Sequence, residues 1–225
     1  MDATQRPLPL FPLPDHVVFP GVPTPYRLFE PRYRQLAIDL LERPAAEREL
    51  AIPCLADRDL VERAGDRLAP QPRFEPVATI GRAAHLSGLP NGQFQMIFVG
   101  ETRALLQEIE SPHPYRLALT HRYDDLDAAR VSSQTFEALV QSAAALTRML
   151  GDSASQLAEV LKERDDPKQM VFTLGSVLLR SPRQRQRFLA ARRHAARVDM
   201  LLEQMALLID LVRTKEDSRG QMPEG

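Results

Sequence analysis

The period of the apolar residues changes partway along this chain, and that change limits its folds more than any other feature. Up to about Tyr123, apolar side chains recur at every second position or in short runs bounded by Pro and Gly, which is strand spacing. After about Ser133 they recur at three and four, which is helix spacing. A strand-rich half followed by a helical half predicts an α+β chain. Several short strands and one helix in the first half suggest a small closed or half-closed barrel. The length, 225 residues, fits one large domain or two small ones. The expected division is a barrel subdomain over 1–123, a linker over 124–130, a helical bundle over 131–216 and a disordered polar tail over 217–225.

In the first half, prolines keep residues 7–14 extended. His16–Phe19 reads as a strand ended by Pro20-Gly21, and Pro25–Phe29 as another. Tyr33, Leu36, Ala37, Leu40 and Leu41 predict a helix over Pro31–Glu42, with Pro31 in its first turn. Glu49–Leu55 is a strand, and the polar stretch Asp57–Pro76 a long loop. Val77–Leu86 and Gln93–Val99 flank Asn91-Gly92, where both turn residues tolerate positive φ, so they predict a hairpin. Gly100 is expected to interrupt before a strand over Thr102–Ile109, and Tyr115–Tyr123 is the last strand.

In the second half, Phe136, Leu139, Val140, Ala143, Leu146 and Leu150 form one stripe, with Ser133 placed to cap its start and Gly151 its end. A shorter helix carries Leu157, Val160 and Leu161. Asp166-Pro-Lys-Gln169 and Ser181-Pro-Arg-Gln184 are helix-opening signatures, the second beginning the longest helix, to about Val212. On it, Phe188, Ala195, Leu202 and Ile209, with Ala191, Val198, Met205 and Val212, predict a packing seam. Arg183, Arg185, Arg187, Arg192, Arg193 and Arg197 avoid both series and are expected at solvent or on the flanks.

The net charge of −1 supplies no global field for nucleic acid or anionic lipid. Cys54 is the one cysteine, so no intrachain disulfide or cysteine metal cluster forms. Its apolar setting reads as a buried structural thiol in a reducing compartment. No basic-then-apolar leader and no membrane-length apolar run is present, and the expected location is cytoplasmic. There is no phosphate-binding G-x-x-x-x-G-K-[ST], no G-x-G-x-x-G and no G-x-S-x-G. His16, His85, His113, His121 and His194 form no H-x-x-x-H or H-E-x-x-H pair, so no metal site is expected. Lys162, Lys168 and Lys215 have charged neighbours, against a desolvated Ser-Lys dyad. No catalytic residue and no cofactor are assigned.

Three motifs in combination carry a resemblance: Pro9-Leu-Phe-Pro-Leu13, Val17-Val-Phe-Pro-Gly21 and Leu28-Phe-Glu-Pro-Arg-Tyr33. Ile80-Gly81-Arg-Ala83, the Asn91-Gly92 hairpin, Gly100-x-x-Arg103 and Tyr115-x-x-Ala118 follow in order, then Leu179-x-Ser-Pro-Arg-Gln-Arg-Gln-Arg-Phe-Leu189. From about Pro7 to Val212 the chain resembles the N-terminal substrate-recognition domain of Lon proteases and the stand-alone bacterial proteins built from it. Where that family has a basic-aromatic pair after Gly-x-x-Arg, this chain has Ala104-Leu105. The resemblance implies a PUA-like pseudo-β-barrel followed by an α-helical bundle, and recognition of polypeptide without the ATPase or protease.

The expected function is therefore a non-catalytic module for unfolded or exposed polypeptide segments, in protein quality control. The expected ligand site is an apolar groove between barrel and helices. Candidate peptide-binding residues are Phe19, Phe29, Arg32 and Tyr33. Each has a structural reading beside it: Phe19 as a core residue at a turn, Glu30 as a helix cap, Tyr33 packed inward, Arg32 paired with a carboxylate. The alternatives are an RNA-binding PUA-like protein and a hydrolase assembled around His85 or His121.

Overall fold

The computed structural model describes residues 6–56, 72–126, 133–162 and 166–220. The expected loop from Asp57 lies outside the described residues as far as 71, and the expected linker does so from 127 onward. The chain divides into two compact units, residues 1–124 with 185–190, and residues 125–184 with 191–225.

The first unit contains β1 (Leu8–Pro9), β2 (Leu13–Pro14), β3 (Pro23–Leu28), α1 (Pro31–Leu41), β4 (Glu49–Ile52), β5 (Cys54–Leu55), β6 (Val77–Gly88), β7 (Phe94–Ile109) and β8 (Leu117–Arg122). The main sheet has the order β1-β8-β7-β6-β4, with β3 also on β7, while β2 and β5 form a separate parallel pair. Leu8 and Pro9 pair with Ala118 and Leu117 of β8. The next residue, Leu10, bridges in parallel to Ala51 of β4. The N-terminal segment thus touches both ends of a curled sheet, without a continuous ladder closing it.

Where the sequence predicts two strands separated at Gly100, the structure has one strand of 16 residues. On one side β7 pairs with β3 through Phe94–Val99 and with β8 through Ala104–Ile109. On its other side β6 runs past both halves, with register shifts at Ile80/Gly81 and Ala83/His85. Two glycines make this crossing possible. A Cβ on Gly81 would lie 2.1 Å from the Val99 carbonyl oxygen, and one on Gly100 would lie 2.6 Å from Thr79 Cγ2 and 2.8 Å from the Phe19 carbonyl oxygen.

The expected strand over His16–Phe19 is not a strand. Asp15 before it takes φ 53°, and its carbonyls accept from side chains instead of a ladder: Val18 from Thr79 Oγ1 at 2.6 Å, Val17 from Arg185 Nη2 at 2.9 Å. Pro53 divides the expected strand Glu49–Leu55 into β4 and β5. The hairpin also differs in its turn. The Gly92 amide donates to the Leu89 carbonyl at 3.0 Å, and only Gly92, not Asn91, has positive φ. That is a Pro90-led turn followed by one left-handed residue, the three-residue alternative to a two-residue loop.

Helix α1 buries Tyr33, Leu36, Ala37 and Leu40, the i, i+3, i+4, i+7 face that the sequence predicts. They meet Phe11, Leu28, Leu50, Ile52, Leu86, Met96 and Phe98 in the larger core. A second cluster joins Leu10, Ala51, Ala78, Ala104, Leu106 and Ala118. Residues 185–190, distant in sequence, complete this unit: Phe188 packs edge-on against Phe19 at 5.2 Å, and Gln186 Nε2 donates to the Val77 carbonyl at 2.8 Å.

The second unit holds α2 (Ser133–Leu150), α3 (Ser155–Val160), α4 (Pro167–Leu178), the start of α5 (Pro182–Ala190) and α6 (His194–Gly220). Leu139, Ala143 and Leu146 of α2 are fully buried, and Gly151 at φ 55° follows that helix as expected. Asp166 caps α4, accepting from the Lys168 and Gln169 amides.

The long helix expected from Ser181 to Val212 is two helices, and the second runs through the expected tail to Gly220. At the break, four successive carbonyls take donors from outside the helical ladder: Leu189 from Arg103, Ala190 from the Tyr123 hydroxyl, Ala191 from Arg197 Nη1 and Arg192 from the Leu126 amide. The buried seam of α6 consequently runs through Val198, Leu201 and Met205, whereas Ala195 is exposed and Leu202 and Ile209 half-buried.

Of the arginines expected at solvent or on the flanks, Arg197 is in neither place and Arg185 packs on an aromatic ring. Arg185 is half-buried over the Phe19 ring. Arg197 is completely buried, with Nη1 and Nη2 each 2.9 Å from Asp125 Oδ1 and its guanidinium 5.1 Å from the Phe172 ring centroid.

Breaking a buried ion pair from one side leaves an uncompensated charge. Arg197→Met is therefore expected to destabilise the second unit by about 3–5 kcal/mol in urea unfolding, and Arg197→Met with Asp125→Leu by clearly less. Gly81→Ala, which forces a Cβ onto the Val99 carbonyl, is expected to cost about 1–3 kcal/mol or more, read as a lowered unfolding midpoint.

Candidate functional site

On β3 the burial alternates, with Thr24, Tyr26 and Leu28 turned inward and Pro23, Pro25 and Arg27 outward. On β7, Met96 and Phe98 face the core while Gln95 and Ile97 face out. Simple alternation on β6 would turn His85 inward behind Ala83. The register shift between Ala83 and His85 leaves Ala84 and His85 both exposed and returns Leu86 to the core. The outer face thus carries two cross-strand rows, Pro25–Ile97–His85 and Arg27–Gln95–Ser87.

Pro25, Ile97, His85, Arg27 and Gln95 of these rows line an open cavity of about 740 Å³, which Tyr26 and Met96 also line and which Leu89 borders at the hairpin. Ile97 is 40% exposed, a large apolar side chain on the solvent face. The polar residues here are lightly engaged: Gln95 Nε2 donates to Ser87 Oγ at 3.0 Å, and His85 Nε2 lies 3.2 Å from the same oxygen.

Among the described residues β3 pairs only with β7, and its other edge limits how a ligand could attach. Prolines have no amide to give a ladder, so Pro23 and Pro25 must have their backbone nitrogens on the side away from β7. An incoming strand would find carbonyls but a donor only at Arg27. Main-chain pairing at this edge is thereby weakened, so a ligand here would have to be held chiefly by its side chains.

Of the four residues singled out in the sequence, Phe19 and Tyr33 are core side chains, 1% and 3% exposed. Tyr33 donates to the Pro12 carbonyl at 3.3 Å, and burial pushes its phenol up to about 12. Phe29 is 60% exposed. Arg32 is half exposed, with Nε 2.9 Å from Glu30 Oε2 and its guanidinium over the Tyr33 ring. Glu30 makes no side-chain cap to α1; its carboxylate is taken by Arg32. None of the four lines the cavity. The one sequence signal for the cavity is the pattern Phe94, Met96, Phe98, which puts Ile97 on the opposite, outward face.

Groups of catalytic type serve the fold. Tyr115 donates to Asp39 Oδ2 at 2.6 Å, and burial with that carboxylate holds the phenol far above its usual range. Burial raises the Cys54 thiol as well, which keeps it unreactive. His113 lies 3.5 Å from Asp39 and His121 3.1 Å from Gln107. Among the described residues no group of three or more His, Cys, Asp or Glu could hold a metal.

His16 supports the cavity from behind, its Nε2 2.7 Å from the Tyr26 hydroxyl. Burial, then the Arg185 charge, lowers its pKa from the ordinary 6.5. The unfolded chain therefore gains a proton near pH 6.5 that the folded chain resists. Stability is expected to fall as pH drops from 7 through 6.5 and to level off once the folded imidazole also protonates. His16→Gln should flatten that slope in unfolding measured across this range.

The family described as the ATP-dependent protease La (LON) substrate-binding domain matches residues 7–206. Among solved structures, the N-terminal domain of the Mycobacterium avium complex Lon protease is similar with a TM-score of 0.65 at 15% identity, covering 89% of this chain and 98% of that one. The Lon N-terminal domain protein from Xanthomonas campestris is similar with a TM-score of 0.58 at 20% identity, covering 88% and 98%. At these identities the likeness is one of fold. No curated protein matches the sequence. The motifs around Pro9, Val17 and Leu28, the curled sheet with its helical second unit, and a family match over nearly the whole chain agree: the chain belongs to the Lon substrate-binding domain family.

Proposed function

We propose that this chain is a non-catalytic module that binds exposed polypeptide segments at the outer face of β3, β7 and β6, in the cytoplasm and in the service of protein quality control. The observation that carries this reading is the open groove itself, with Ile97 on its floor, Pro25 and Leu89 at its sides and the proline-blocked edge of β3 beside it. An unfolded segment offers apolar side chains without a partner, and such a groove removes them from water without requiring a sequence-specific ladder. Phe29 and Arg32, the two sequence candidates with exposed surface, extend the proposed surface beyond the end of β3. Support also comes from the family, whose description is a substrate-binding domain. No helix among the described residues is long and apolar enough to cross a membrane.

The test is binding of a permanently unfolded protein, reduced and carboxymethylated, to the full chain without nucleotide, followed by fluorescence anisotropy. Binding is expected, and Ile97→Asp is expected to weaken it about tenfold, with a modestly lowered thermal midpoint because Asp is disfavoured in a strand and with the folded circular-dichroism spectrum retained. Absence of binding, or an Ile97→Asp protein that binds as well as the parent, would overturn the reading.

A further inference from the structure

Arg27 lines the groove and Arg34 reaches the hairpin turn at its end, and among the described residues neither guanidinium has an acidic partner. Arg27 lies in the outer row with Gln95 and is exposed. Arg34, on the exposed side of α1, reaches the hairpin turn: a Cβ on Gly92 would lie 2.9 Å from its Nη2, and the Gly92 amide donates to the carbonyl of Leu89, which borders the groove. Among the described residues neither side chain makes a hydrogen bond or ion pair. This contrasts with the arginines nearby: Arg32 is taken by Glu30 and Arg82 by Glu101. A groove centred on Ile97 and Pro25, with Arg27 in its lining, Arg34 at the turn beyond Leu89 and no carboxylate lining it, favours a ligand that is apolar at its centre and negative beside it.

Resting on the reading above, we propose that the polypeptide segments taken by this groove are those in which an apolar side chain is accompanied, within two residues, by Asp or Glu. The spacing follows from the sheet. Ile97 and Gln95 are two residues apart on one face of β7, and Arg27 stands across from Gln95, so the backbone position of Arg27 lies about 7–8 Å diagonally from that of Ile97. An extended segment covers about 6.6 Å in two residues. With its apolar side chain on Ile97, it places a neighbouring carboxylate within reach of the Arg27 guanidinium, which favours bidentate carboxylate contacts. An RNA strand would satisfy the two arginines through phosphate, but with Tyr26 turned inward only the His85 ring is exposed for stacking among the lining residues, beside the apolar Pro25, Ile97 and Leu89.

The test compares three fluorescent dodecapeptides sharing a central Leu-Phe pair, flanked on both sides by Glu, by Gln or by Lys, titrated with the full chain at low and high salt. The Glu-flanked peptide is expected to bind about 3- to 10-fold tighter than the Gln-flanked one, with the advantage shrinking at high salt. Arg27→Gln and Arg34→Gln, made separately, should each reduce that advantage, and the double variant should abolish it, while circular dichroism reports unchanged folding. Equal affinity for Glu and Gln flanks, or tighter binding of Lys flanks, would overturn the acidic preference and leave polypeptide binding intact. No binding of any peptide by the folded chain would overturn the underlying reading itself. A single-stranded oligouridine that binds more tightly than every peptide, and loses affinity in the double variant, would overturn the polypeptide occupant in favour of a phosphate backbone.

Discussion

The exchange of partners along β7 is the constraint on which the first unit depends. One strand cannot hold β3 and β8 on the same side unless its ladder changes partner between Val99 and Ala104, and Gly100 lies where the first partner ends. There Gly81 lies against the β7 backbone, and Gly100 against the Thr79 side chain and the Phe19–Pro20 backbone, so neither has room for a side chain. The approach also admits the His16–Gly21 segment, whose Gly21 amide donates to the Gly100 carbonyl at 2.8 Å and whose Val18 carbonyl is held by Thr79. From this one crossing follow both ends of the sheet. The hairpin end carries β3 and the outward groove, and the other carries β8 and the N-terminal segment reaching from β8 to β4.

In the second unit the corresponding constraint is electrostatic. Arg197 is fully buried and Asp125 is 10% exposed at its side chain, with Lys168 Nζ 3.1 Å away. Burying such a pair gains little net stability, because desolvation opposes the attraction, yet it penalises any arrangement that separates the partners. The same arginine donates to the Ala191 carbonyl at the break between α5 and α6. One side chain therefore fixes both the start of α6 and the chain segment after Tyr123. A continuous helix would have left the carbonyls of residues 189–192 to the ladder; here each has a specific donor elsewhere in its own unit.

The groove offers an open, largely apolar surface with few polar groups engaged. Its polar members, His85 among them, are exposed and weakly engaged, whereas His16, Tyr33, Tyr115 and Cys54 are committed to packing and hydrogen bonds within the fold. Selectivity at such a surface comes from side chains, since alternating prolines remove the main-chain donors from the adjacent edge. That arrangement suits segments of varied sequence, and it also protects the edge from pairing with another copy of the chain.

The sequence by itself determined the class of the two halves, the buried face of α1, the cap at Asp166, the hairpin at Gly92 and, through its motifs, the family. These are local properties, set by period, by proline and glycine geometry and by capping chemistry, and they survive whatever surrounds them. Tertiary structure alone decided that β7 runs through Gly100, that Phe19 and Tyr33 are core residues while Ile97 floors a cavity, that residues 185–190 belong with the sheet, and that Arg197 is buried on Asp125. Each of these depends on which distant group arrives beside a residue. A glycine in a strand reads the same whether the strand stops or crosses another, and an arginine among many reads as solvated until one carboxylate, 72 residues away in the chain, takes it out of water.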